Sequence, residues 1–313
     1  MGKSLALCLS LAVLMGLGSL LGCGGGAGAL FPAGGPPALG GASLSDALVS
    51  PDTFGVGRII FQRAATGGPF LWVMKADGSG QTRLTDYFTN APEWRPDGLK
   101  IAFVGKAGSA LEIFAINPNG SGKTNLTNTT ADNRDPAWSP DGTKIAFTSK
   151  RQGNPNLFVM NADGSGVRQL TSGPFSDFHP TWSPDGTKIA FSSNRSGSFN
   201  IFTIFAAGRG LGKLTNVTGT DSNTWPEWSP NPGAIMFMSK LAVNGDRLAI
   251  YSLNLATGTL NFVNWGTTPG WSPDFQQIVF AAGGNLFAMN ANGTQVRRLF
   301  QTALSEGQPD WGL

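Results

Sequence analysis

The stretch Pro136–Thr171 reads PAWSPDGTKIAFTSKRQGNPNLFVMNADGSGVRQLT, and its pattern, returning along the chain, decides the fold. Pro-x-Trp-Ser is a first short strand. Pro-Asp-Gly is a tight turn, in which Pro presets φ and Gly takes a positive one. Lys-Ile-Ala-Phe alternates polar and apolar residues as a half-buried strand does. Leu-Phe-Val-Met is a third strand, Asn-Ala-Asp-Gly-Ser-Gly turns the chain, and Arg-Gln-Leu-Thr is a fourth. We call these strands a to d.

Working outward, Pro180–Thr215 repeats the pattern closely, and the tryptophans mark its period. Trp94, Trp138, Trp182, Trp228, Trp271 and Trp311 follow one another at 44, 44, 46, 43 and 40 residues. In phase with them, strand b ends in Phe61, Phe103, Phe147, Phe191, Phe237 and Phe280. Four-stranded repeats of roughly 40–50 residues are propeller blades. One blade cannot cover both its faces, so the expectation is an all-β, six-bladed propeller with four antiparallel strands per blade. The repeats begin at Gly57–Phe61 with strand b and end at Pro309–Trp311 with strand a. The C-terminal strand is therefore expected to join the first blade and close the ring, which removes open sheet edges.

Pro-x-Trp-Ser-Pro-Asp-Gly-x-Lys-Ile-Ala-Phe, followed by Asn-x-Asp-Gly and a closing Leu-Thr, resembles the WD40-like repeat (PD40) of TolB-type propellers. True WD40 blades differ, since Gly-His and Trp-Asp pairs are missing. The resemblance covers residues 56–313. It implies a propeller whose d–a loop face receives a protein, as the TolB propeller receives the Pal lipoprotein. TolB carries an α/β domain ahead of its propeller, where this chain has a low-complexity segment.

The N-terminus is read apart from the fold. Lys3 precedes an apolar run, Leu5–Leu21, that ends in Leu20-Leu21-Gly22-Cys23. This resembles the lipobox of bacterial lipoproteins and implies a signal peptide over 1–22 with lipidation at Cys23. An ordinary secretory signal or an uncleaved anchor helix is the competing reading. Residues 23–55 have the Gly/Pro-rich composition of a flexible tether. Gly24 rather than Asp after the cysteine points to the outer membrane, facing the periplasm, where the host has one. Otherwise the outer face of the cytoplasmic membrane is expected. Cys8 and Cys23 are the only cysteines, so cleavage before Cys23 leaves a propeller without thiolate or disulfide chemistry.

Composition narrows the function. The 313 residues carry a net charge of +3, and 13% are charged, about half the usual share of roughly 25%. With no Lys/Arg cluster, nucleic acid is not an expected partner. Asn117–Thr124 nearly matches a phosphate-binding loop, but it aligns with the c–d turn Asn161–Gly166 and is read as that turn. Asp97, Asp141, Asp185 and Asp274 recur as turn-capping residues of Pro-Asp-Gly. His179 is the only histidine, so a multi-imidazole metal site cannot form, and no Gly-x-Ser-x-Gly elbow is present. No catalytic residue, metal or cofactor is expected.

The d–a loops are where the repeats stop agreeing, and variable loops on a fixed scaffold carry binding groups. The candidates there are Tyr87, Phe88, Asp132, Arg134, Asp135, Asp177, Phe178, His179, Asp221, Trp225, Trp265 and Gln308. Aromatic and polar groups around a concave mouth suit protein or peptide recognition. The expectation is a non-enzymatic, monomeric scaffold, held to the membrane through its lipid anchor alone and binding an envelope protein or peptide. The alternative is a glycan- or small-ligand-binding propeller, or a propeller hydrolase or lyase.

Overall fold

Lys144–Phe147 and its counterparts are extended segments whose apolar side chains must find cover on both faces of a sheet. The computed structural model describes residues 57–230, 233–245 and 247–313, and there the strands form six four-stranded antiparallel sheets. Cys23 and the segments 1–22 and 23–55 lie outside the described residues.

Blade 1 holds β1 (Arg58–Arg63), β2 (Phe70–Lys75), β3 (Thr82–Arg83) and β24 (Glu306–Gly312). Blade 2 holds β4 (Thr89–Trp94), β5 (Ile101–Ala107), β6 (Ala110–Ile116) and β7 (Thr124–Asn125). Blade 3 holds β8 (Asn133–Trp138), β9 (Lys144–Gln152), β10 (Asn154–Asn161) and β11 (Arg168–Gln169). Blade 4 holds β12 (Asp177–Trp182), β13 (Lys188–Ser196), β14 (Ser198–Phe205) and β15 (Gly212–Lys213). Blade 5 holds β16 (Ser222–Trp228), β17 (Ala234–Lys240), β18 (Leu248–Asn254) and β19 (Leu260–Trp265). Blade 6 holds β20 (Thr267–Trp271), β21 (Gln277–Ala282), β22 (Asn285–Asn290) and β23 (Arg297–Arg298). A 3-10 turn, Ala242–Asn244, interrupts blade 5.

The expected closure is present. β24 pairs antiparallel with β1, with Arg58 opposite Gly312, Ile59 opposite Trp311 and Arg63 opposite Glu306. The junction runs from Glu306, longer than the sequence pattern marked.

The cores lie between blades. Ala102 and Ile113 of blade 2 pack with Trp138, Ile145 and Phe147 of blade 3, and the other gaps are built alike. Phe61, Phe103, Phe147, Phe191, Phe237 and Phe280 are all 1% exposed or less, one to each blade. Burying a Phe contributes about 1.5–3 kcal/mol relative to exposure, so each of these rings helps bind its blade to a neighbour.

The closing Leu-Thr of the first four blades is no strand. Five outer strands are two residues long, because the chain then turns inward. In blades 1 to 4 a threonine hydroxyl continues the ladder by accepting a strand c amide: Leu71 N–H to Thr85 Oγ1 at 3.0 Å, Ile113 to Thr127 at 3.0 Å, Leu157 to Thr171 at 2.9 Å and Ile201 to Thr215 at 2.9 Å. Blades 5 and 6 have Val263 and Phe300 at that place. Blade 5 instead extends β19 to six residues.

Candidate functional site

Each innermost strand (β4, β8, β12, β16, β20 and β24) spends three residues where its partner strand spends two. In blade 3, Arg134 opposes Thr148 but Ala137 opposes Ala146. The same shift occurs in the other five blades. Such a bulge turns one side chain out of the ladder. The residues released are Ala91, Asp135, His179, Trp225, Thr268 and Gln308, each just before a proline and each at φ between 44 and 52°. A left-handed non-glycine costs roughly 1–2 kcal/mol, and six of them stand together around the channel mouth.

Two residues further along stands a second ring: Glu93, Ala137, Thr181, Glu227, Gly270 and Asp310. With the prolines between, the first ring and all of the second but Ala137 line a cavity of about 220 Å³. Four carboxyl groups and one imidazole face it, and no Lys or Arg does.

Two of these carboxylates tie successive blades together. Asp310 Oδ2 accepts the Trp94 amide at 2.6 Å, and Glu93 Oε1 accepts the Trp138 amide at 2.9 Å. Burial in the narrow channel pushes the Glu93 carboxyl well above its usual range, helped by the charges of Asp310 and Glu227. Burial, then the charge of Asp310, raises Glu227 to about 8. Burial raises Asp310 to about 6, against the opposing amide bonds. All three are half-buried and line the cavity.

At the mouth, the His179 ring stacks on Trp225, with centroids 3.7 Å apart and planes inclined by 22°. Asp135 Oδ2 accepts the Thr148 hydroxyl at 3.2 Å and the His179 amide at 3.3 Å, and lies 4.0 Å from His179 Nε2. Burial lowers the His179 pKa, with Asp135 opposing, which favours a neutral ring. Phe178 lies beside it, against Phe199. Gln308 Oε1 accepts the Ala91 amide at 3.0 Å.

Of the sequence candidates, Asp135, His179, Trp225 and Gln308 come together at the mouth, with Arg134 and Phe178 next to them in their strands. The rest lie elsewhere. Asp177 is fully buried and holds Arg195 through both oxygens at 2.8 and 2.7 Å. Asp132 accepts the Leu111 amide at 3.0 Å and pairs with Arg134 at 3.2 Å. Asp221 accepts the Ala242 amide at 2.8 Å. Tyr87 tucks under Lys123, whose Nζ is 3.7 Å from its ring, and Phe88 lies below Lys106. Trp265 packs on Phe262 under Arg247, in the outer strand of blade 5. Glu93, Glu227, Asp310 and Thr268 were missed. Their signal was the place between Pro and Trp, or just before Pro, in the less regular repeats.

A closed ring of six blades with a narrow acidic channel defines a propeller with a polar central site. The family model described as the TolB beta propeller domain (PD40) matches residues 84–176 and 172–312, and the chain belongs to that family. Among solved structures it is similar to TolB from Acinetobacter baumannii (TM-score 0.70, 23% identity, 82% of this chain and 66% of that one). It is similar to a putative TolB from Agrobacterium tumefaciens (TM-score 0.62, 20% identity, 81% of this chain and 92% of that one). A third match is oligogalacturonate lyase from Vibrio parahaemolyticus (TM-score 0.53, 13% identity, 79% and 75%). At these identities the likeness is one of fold, and this chain spans about two thirds of the Acinetobacter protein. No curated protein sequence matches the chain. Among the described residues, no cluster of three His, Cys, Asp or Glu side chains is placed to hold a metal ion, and no helix is long and apolar enough to cross a membrane.

Proposed function

We propose that the protein is a non-enzymatic scaffold of the cell envelope that receives a protein or peptide at the channel mouth on its d–a face. The reading takes residues 1–22 as a signal peptide, Cys23 as the lipidated residue and 23–55 as the tether, with the propeller facing the periplasm. One observation carries it: six bulges hold six unlike side chains in strained backbone around one concave opening. Six strained residues gathered around one opening point to a site, and side chains that differ while their scaffold repeats supply recognition. Family membership supports protein binding. A lone histidine supports a binding role over catalysis.

The test is affinity capture from solubilised envelopes with the full chain and its Trp225→Ala/Asp135→Ala variant. Loss of a partner alongside an unchanged melting curve supports the mouth. The same partners on both proteins would remove it.

A further inference from the structure

Phe275 stands where the repeat demands glycine. The Pro-Asp-Gly turns of blades 2, 3 and 4 carry Gly98, Gly142 and Gly186 at φ 70, 66 and 68°, and Phe275 takes φ 60° in the same turn of blade 6. The turn is otherwise unchanged, with the Phe275 amide bonded to Ser272 O at 2.8 Å as Gly142 is to Ser139 O. A bulky side chain in left-handed backbone is an outlier, and this ring is 50% exposed.

Two more apolar residues break the pattern nearby. Leu99, 65% exposed, replaces the threonine found at 143 and 187, and Leu313 is 60% exposed. They are contiguous: Gly98 lies against Leu313, while Gly57 lies between Gly312 and Pro273, in the turn that carries Phe275. The exposed Arg58 and Lys75 share this end of blade 1. Across the ring, at the same end, Phe205 and Leu211 are 42% and 47% exposed. This is the end opposite the channel mouth, and the chain enters the ring at Gly57, in the middle of the patch.

We infer that this a–b face lies against the lipid bilayer, Phe275, Leu99 and Leu313 entering its interface, so that the d–a mouth points away from the membrane. The inference rests on the lipid-anchor reading. The 33 residues between Cys23 and Gly57 give a flexible tether a reach of roughly 30 Å. A ring so tethered meets the surface at high effective concentration, so weak contacts suffice. Asp97 and Asp274 stand in the same turns as Leu99 and Phe275, so the exposed apolar side chains carry the contact, with Arg58 and Lys75 beside them for anionic headgroups.

The experiment uses the full lipidated chain in vesicles of phosphatidylethanolamine and phosphatidylglycerol. An environment-sensitive dye is placed on Gln276→Cys, beside Phe275, and separately on Gln152→Cys, at the mouth end. Flotation reads the anchor and dye emission reads the contact. The expected result is flotation of both proteins, with a blue shift at 276 only, lost when Phe275→Gly is added. Phe275→Gly should melt no lower than wild type, which a structural role for the ring would not allow. Flotation with a water-like dye at both positions overturns the lipid-facing surface and leaves the anchor standing. A shift at 276 that needs an added envelope protein overturns it in favour of a protein partner. Failure of the wild-type chain to float removes the anchor reading and this inference with it.

Discussion

Trp225 covers one face of His179, and burial is the first cause of that imidazole's lowered pKa. As the only histidine, His179 gives one imidazole signal in a proton NMR titration, readable without assignment. Its midpoint is expected below the usual value of about 6.5. Trp225→Ala should raise it by admitting water, and Asp135→Asn should lower it further by removing the opposing charge. A midpoint unmoved by both would separate the ring from these neighbours. Asp177 tests a different role: Asp177→Ala strands the Arg195 guanidinium, 13% exposed, and should cost about 3 kcal/mol in denaturant unfolding. A binding residue free of the fold would cost almost nothing.

Strands b and c were legible because their short apolar runs, Ile145–Phe147 and Leu157–Met160, recur in phase with the tryptophans and the turn residues, and both faces of each run are buried between blades. The bulges were not legible. One extra residue in β8 or β12 leaves the alternation on either side intact, and Pro136 and Pro180 read as ordinary strand starts. The channel carboxyls were hidden for a related reason. The two most regular repeats carry Ala137 and Thr181 there, whereas Glu93, Glu227 and Asp310 occur in the irregular ones. Loop residues could be found but their direction could not. Asp132, in a d–a loop, and Asp177, at the start of β12, turn inward to amide and guanidinium partners. The Leu-Thr ending has its own test at this scale. Thr171→Val keeps the shape and leaves the Leu157 amide without its acceptor, so unfolding should become easier by about 1–3 kcal/mol.

Across the whole ring, the three channel carboxyls link folding to pH. Their folded pKa values are raised, so the native state holds protons that the unfolded chain releases near its ordinary carboxyl range of about 4. Their effect is smallest below that range and grows more unfavourable as pH rises through about 6 for Asp310 and about 8 for Glu227. Melting temperature should fall on the order of 5 °C from about pH 5 to about pH 9, and Glu227→Gln should flatten that slope. Removing residues 306–313 takes away β24 and bares both the β1 edge and the gap beside β20, so cooperative melting should be lost. This same strand sets the order of events during biosynthesis. Blade 1 is made first, yet its innermost strand leaves the ribosome after the other twenty-three strands of the described residues. A nascent chain that has not yet exposed this strand leaves blade 1 incomplete, so the ring cannot close until β24 has emerged. Products of premature termination keep two bare rims and are the forms a quality-control protease should find first.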